Sequence, residues 1–305
     1  MSPALFWTTV ILVFTSTSLS FLGVITNGFT LYLFYSDSIL YKTTRLILGY
    51  ASLCDIGFLA ITGIYEPLNA FQREKFKKSL AEPVLFYLLN TSELLRNWLS
   101  VLLSLERLFY ILRPLEFKHF WTIRVVIITI SLITTTSLLL SIPSLLLVLS
   151  RFGILESAVK YLFFMHFLHN CVFLSLLPEC LMICVLVSTT ASVRKRNVER
   201  EKLGKQKTAL GLAKSFLVTF FVLTLPSIPT TLTKFFVDYL STKPSAILDP
   251  TLSVMTLVTN LCSVINSLAG FFIYMCYTAR YRDVLIKSLG LHRLANIRKL
   301  FQIKN

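Results

Sequence analysis

Six charged residues fall inside otherwise apolar stretches: Asp55, Glu93, Arg96, the adjacent pair Glu106-Arg107, and Glu179. Carboxylates and guanidinium groups held away from water pair with each other, line an ion path or act as a switch, because an isolated buried charge is too costly to keep. His166 and His169, three residues apart, can share a helix face and hold a metal. A catalytic zinc takes three protein ligands and an activated water, however. The other two histidines, His119 and His292, fall in polar stretches. A membrane hydrolase is therefore a weak reading. The six cysteines, Cys54, Cys171, Cys180, Cys184, Cys262 and Cys276, make no CxxC pair, so neither a zinc site nor a disulfide framework is indicated. No metal and no cofactor is expected.

These groups are carried by long apolar segments. The chain has 305 residues, 55% hydrophobic and 15% charged. Runs of about 20 apolar residues match the ~30 Å of a bilayer's hydrocarbon at ~1.5 Å per helical residue. Seven such runs occur, at about 7–35, 43–66, 83–112, 121–149, 165–193, 209–239 and 251–277. Helices are the default for spans, since each must satisfy its own backbone. The expected fold is an all-α membrane protein: a seven-transmembrane helix bundle over residues 1–278, with a short amphipathic helix and tail over 279–305. The first run has no basic stretch ahead of it and is read as a span rather than a cleaved signal.

The formal charge of +15 raises the question of nucleic acid. Its distribution answers it. If the chain weaves seven times, 21 of its 30 Lys and Arg residues fall on the side that holds the C-terminus. Basic residues gather in cytoplasmic loops, so the N-terminus is expected outside and the C-terminus in the cytoplasm. The first outer loop, QREKFKKSLAEP, is a basic exception. The cluster RKRNVEREKLGKQK at 194–207 reads as a solvated helix extension or a contact surface for a cytoplasmic partner, not a nucleic-acid site. With this topology Glu106 and Arg107 lie at the inner end of the third span, at the water boundary, where long side chains reach the interface.

Motifs in six runs then agree in order: GVITNG with Asn27, LILGYASLCD with Asp55, WLSVLLSLERLFYILRPLEF, Pro178, FFVLTLPSIP with Pro226, and INSLAGFFIYMCYTARYRDVL. Together they resemble the rhodopsin-like (class A) G-protein-coupled receptors. Within that class the chain looks most like nematode serpentine chemoreceptors and FMRFamide-receptor-like peptide receptors. The resemblance implies a plasma-membrane, multi-pass receptor that binds an extracellular ligand, a peptide or small chemical cue, and activates a heterotrimeric G protein. It implies that Arg107 is the coupling arginine, Glu106 its restraining acid, Pro226 a kink and Tyr274 part of the activation switch. Departures are visible. Leu108 stands where an aromatic is usual, and Gly270 and Phe271 replace the Asn and Pro ahead of Tyr274. The usual disulfide to the second outer loop and the span-four tryptophan are missing from the sequence.

A central polar core is expected from Asn27, Asp55, Arg96, Asn266 and Ser267. Helix rise sets Asp55 and Arg96 at matching depths. The resemblance puts Arg96 at a position that helps hold a sodium ion beside the span-two aspartate. Arg96 then either replaces that ion and pairs with Asp55, or pairs only with Glu93 one turn above. A ligand pocket in the outer half would draw on Tyr65, Glu66, Asn90, Glu93, His169 and Asn170. The tail 279–301 alternates basic and apolar residues, as a helix on the inner leaflet does. The competing class is a polytopic transporter or channel using Asp55, Glu93, Arg96 and Glu179, although broken half-spans are not evident. No enzyme activity is expected. A retinal-based light sensor is disfavoured, because 251–277 has no Lys for a Schiff base.

Overall fold

The computed structural model describes residues 3–36, 42–150, 159–178, 180–185, 187–189, 191 and 248–277. Pro226, the tail from 278 onward and the basic cluster 194–207 lie outside them, as does Glu179. The described residues are helical, without a strand. In chain order the helices are α1 (Pro3–Ser36), α2 (Lys42–Phe71), α3 (Arg73–Lys77), α4 (Ala81–Leu112), α5 (Pro114–Phe120), α6 (Ile123–Leu149), α7 (Val159–Leu168) and α8 (Leu248–Tyr277). A π-helical segment, His169–Leu176, continues α7.

α1, α2, α4 and α8 overrun the predicted spans by a few residues, whereas α6 starts two residues inside its run. α2 continues through Pro67 to Phe71, although the apolar run stops at 66. α3 and α5 were not anticipated; they are short helices inside the loops on either side of α4. Pro114 opens α5 at its first turn, where the missing N–H costs nothing.

Among the described residues three helices are long and apolar enough to cross a membrane: Pro3–Tyr35, Lys42–Phe71 and Ile123–Leu149. α4 matches them in length, at 32 residues, but carries Glu93, Arg96, Glu106 and Arg107. The pattern of burial on α1 is inverted relative to a helix in water. Ser16, Ser20, Thr26, Asn27 and Thr30 are buried, while Phe14 is 74% and Phe21 70% exposed. α6 repeats it, burying Ser137, Ser141 and Ser144 and exposing Ile128 and Leu132. Small residues at i, i+4, i+7 let helices approach where hydrophobic burial supplies no drive between them, which is the economy of lipid rather than water. Gly23 shows how close the approach is: a Cβ there would lie 2.7 Å from Leu59 Cδ1.

α1 packs on α2 and α8, α2 on α4, α4 on α6, and α6 on α7. Individual contacts give the directions. Glu106, late in α4, meets Thr43 and Thr44, early in α2. Ser144, late in α6, meets His166 in α7. The first pair is antiparallel, as are α1 and α2, where Gly23 meets Leu59 and Gly63 meets Ser20. Tyr87 meets Leu138 and Phe109 meets Trp121 just before α6, so α4 and α6 are antiparallel too, while Phe86 with His166 and Trp98 with Phe173 make α7 and its π-helical continuation parallel to α4. Asn27 reaches Ser267 while Ser16 lies near Glu66 and Asn260, so α1 and α8 run parallel. Two apolar clusters fill the seams. Ile47, Leu95, Leu99, Leu102, Val126 and Ile130 join α2, α4 and α6, and Phe58, Leu59, Leu89 and Val264 join α2, α4 and α8.

Candidate functional site

The polar residues of α1, α2, α4 and α8 form a column through this packing. At mid-depth Ser267 donates its hydroxyl to Asp55, and Asn27 donates from Nδ2 to the Ser267 carbonyl at 3.2 Å and to the Gly23 carbonyl at 3.0 Å. Asn27, Asp55 and Ser267 thus meet as the sequence predicts. Asn266 is buried beside them, with Oδ1 unpartnered.

Arg96 does not join that layer. Its guanidinium donates from NH1 to the Ser263 carbonyl at 3.2 Å, stands 4.0 Å from Glu93 Oε1, and lies over the Phe58 ring at 4.5 Å. Ser263 in turn donates its hydroxyl to Glu93 Oε1 at 3.2 Å. The direct Asp55–Arg96 pair, one of the two arrangements open from sequence, is therefore not formed, and the Glu93 pair is. The reason is one helical turn. Ser263 is four residues before Ser267 and Phe58 three after Asp55, so Arg96 binds about 5.4 Å from the aspartate layer. Glu93, on Arg96's own helix, draws it in that direction. Arg96 still lies within electrostatic reach of Asp55. Glu93, expected in a ligand pocket, belongs to this ion-pair layer instead.

The end of the column at the start of α2 corrects a second expectation. Glu106 is not at a water boundary; it is 1% exposed. Thr44 Oγ1 donates to its Oε1 at 2.7 Å and Thr43 Oγ1 at 3.2 Å. Two hydroxyls from the first turn of α2 take the place of the solvent that the charge gives up. Arg107 follows on the α4 backbone, and Tyr274 lies on α8; their side chains are outside the described residues. Below them Phe109, Phe117 and Trp121 stack, tying α4 to α5 and the start of α6.

At the opposite end Tyr65 packs edge-on against Phe76 and tilts over Phe86, and Phe86 meets the His166 ring at 5.9 Å. Ser144 and His166 Nδ1 share a hydrogen bond of 2.8 Å. Asn90 donates to the Phe86 carbonyl of its own helix at 2.9 Å. His169 is buried close by in sequence, and Asn170's side chain is outside the described residues. Glu66 is buried apart from this aromatic chain, toward α1 and α8, where Ser16 and Asn260 face it.

The π-helical segment has its own logic. Leu177 N–H bonds to the Val172 carbonyl, five residues back. The next rung would run from residue 178 to Phe173, but Pro178 has no N–H. Trp98 of α4 supplies the missing donor, from Nε1 to the Phe173 carbonyl at 3.2 Å.

Sequence reasoning missed Ser263, Thr43, Thr44 and His166 as residues of the column or its ends. Ser263 was legible as i−4 to Ser267. Thr43 and Thr44 carried no signal beyond standing at a helix start. Among the described residues no three His, Cys, Asp or Glu side chains come together to hold a metal. Comparison with protein-family models finds no match, and no curated protein is similar to the chain.

Proposed function

We infer that the chain is a seven-span receptor that binds a ligand from outside and activates a heterotrimeric G protein at its inner end. The observation that carries this reading is the Glu106 latch. A carboxylate buried at the inner end of α4, next to Arg107, is held by α2. Releasing it would change how α4 and α2 meet and so what Arg107 presents to the cytoplasm. The column above it couples the latch to the outer half through α1, α4 and α8.

Helix directions support seven spans. α1, α4, α7 and α8 run one way and α2 and α6 the other. Parallel α7 and α8 are what a single crossing between them would give. The apolar run 209–239 is the segment long enough to make that crossing. With the basic residues on the C-terminal side, the N-terminus is outside and the C-terminus in the cytoplasm. Tyr65, Asn90, His169 and Asn170 are the outer-half residues nearest a ligand in this reading.

An ion-transport reading uses the same charges, Asp55, Glu93 and Arg96. In the column these groups are engaged with neighbouring helices, as cross-links rather than a continuous path.

The test is G-protein activation in cells, basal and stimulated by tissue extract, for the wild type and Arg107→Ala at matched surface expression. A signal present in the wild type and lost in the variant supports the reading. A signal of equal strength in both removes Arg107 from coupling.

A further inference from the structure

Hydroxyls along these helices follow one habit. Thr8, Thr9, Thr30, Thr62, Thr91, Thr134, Ser141 and Thr189 each donate to the carbonyl four residues before. Ser16 and Ser20 do not. Both are 1% exposed, and neither hydroxyl has a partner. They lie one turn apart on the α1 face toward α2, where Ser20 Cβ is 3.6 Å from a Cβ built at Gly63. Three residues beyond Gly63 is Glu66, 2% exposed, with neither carboxylate oxygen hydrogen-bonded. Ser16 and Asn260 face it outside hydrogen-bond geometry.

So α1, α2 and α8 enclose a carboxylate and a set of oxygen atoms, several without donors. These helices supply no cation to balance it. α1 and α8 contain no Lys or Arg, and those of α2, Arg45 and Lys42, lie at the opposite end, about 31 and 36 Å along the helix. No Lys or Arg among the described residues pairs with Glu66. A buried carboxylate with no ion-pair partner and no well-formed hydrogen bond is kept either protonated or against a ligand of opposite charge.

We propose that Glu66, Ser16, Ser20 and Asn260 bind a compact monovalent cationic group, either an alkali-metal ion or the primary ammonium of a ligand. Hard cations take carboxylate, hydroxyl and amide oxygens, and an ammonium donates three hydrogen bonds to the same set. The site is separate from Asp55, which Ser267 already engages about three turns of α2 away. It does not depend on the coupling role of Arg107.

The experiment measures thermal unfolding of the full chain in phosphatidylcholine nanodiscs at constant ionic strength. Sodium, potassium or ethylammonium chloride is compared with N-methylglucamine chloride, whose cation is too bulky to enter. The wild type is expected to melt about 3 °C higher in at least one small cation. The gap persists in Asp55→Asn, vanishes in Glu66→Gln and shrinks in Ser16→Ala. A gap with sodium or potassium identifies an inorganic ion; a gap with ethylammonium alone identifies a ligand's ammonium. No gap in the wild type, a gap that survives Glu66→Gln, or one abolished by Asp55→Asn overturns the proposal. If Glu66→Gln does not fold, an undiminished gap in Ser16→Ala/Ser20→Ala overturns it too.

Discussion

Glu106 and Glu66 are the same residue type and almost equally buried, one between α4 and the start of α2, the other between α2, α1 and α8, yet their surroundings are opposite. Glu106 receives two hydroxyl hydrogen bonds from a neighbouring helix. Glu66 has hydroxyls beside it that give it none. Burial alone therefore says little about what a carboxylate does. A satisfied one fastens helices together, and its chemistry is in being released. An unsatisfied one holds a place for something else. Between them the Glu93–Arg96 layer is of the first kind, and it is where removing a partner should cost most.

Glu93→Ala leaves the Arg96 guanidinium 4.0 Å from an empty position, inside the bundle. Breaking a buried pair from one side costs about 3–5 kcal/mol, whereas replacing both partners with apolar residues is often neutral. The single variant should lose most of its folded yield in detergent, and Glu93→Leu/Arg96→Met should recover much of it. Equal loss in the double variant would mean the layer is held by packing and not by charge.

The inverted helix faces sharpen the contrast between inside and outside. Phe14 is 74% exposed and points away from the polar stripe of α1. If that face meets lipid, Phe14→Lys opposes insertion by up to about 3 kcal/mol, the cost at the centre of a span. On a water-facing helix the same change would be nearly silent, within about 0.5 kcal/mol. Glycosylation-tag mapping of membrane insertion distinguishes the two.

At the satisfied carboxylate, Thr44→Val removes the shorter of two hydrogen bonds and leaves Glu106 buried with less support. A loss of about 1.5–3 kcal/mol follows from removing one hydroxyl hydrogen bond to a buried carboxylate. Under the receptor reading basal signalling rises at the same time. Unchanged melting and unchanged basal signal would together show that the latch is slack.

The architecture of the column was readable from sequence because membrane helices invert the usual code. Polar residues such as Asn27 and Asp55 inside apolar runs are visible as exceptions, and helix periodicity sets their depth. Partners were harder. Whether Arg96 turns to Asp55 or to Glu93 depends on a one-turn offset between α4 and α8, which no single-helix pattern contains. The burial of Glu106 depends on two threonines 62 and 63 residues earlier in the chain. Their spacing from Glu106 has no periodic meaning. The π-helical turn was invisible for a similar reason, since Pro178 predicts a broken rung but not which helix repairs it.

That repair makes the smallest prediction and the most specific one. Trp98→Phe keeps the aromatic volume between α4 and the π-helical segment but removes the Nε1 donor to the Phe173 carbonyl. One hydrogen bond is worth about 1 kcal/mol, so the melting temperature should fall by only a few degrees. Pro178→Ala restores a backbone N–H at residue 178, which can close the rung to Phe173 or let the segment rewind to α-helix. In that background the Trp98 donor becomes redundant, and Trp98→Phe should cost less than it does beside proline. A double-mutant cycle measures the difference directly. Strict additivity would separate Trp98 from the proline and leave the π-helical turn without its explanation.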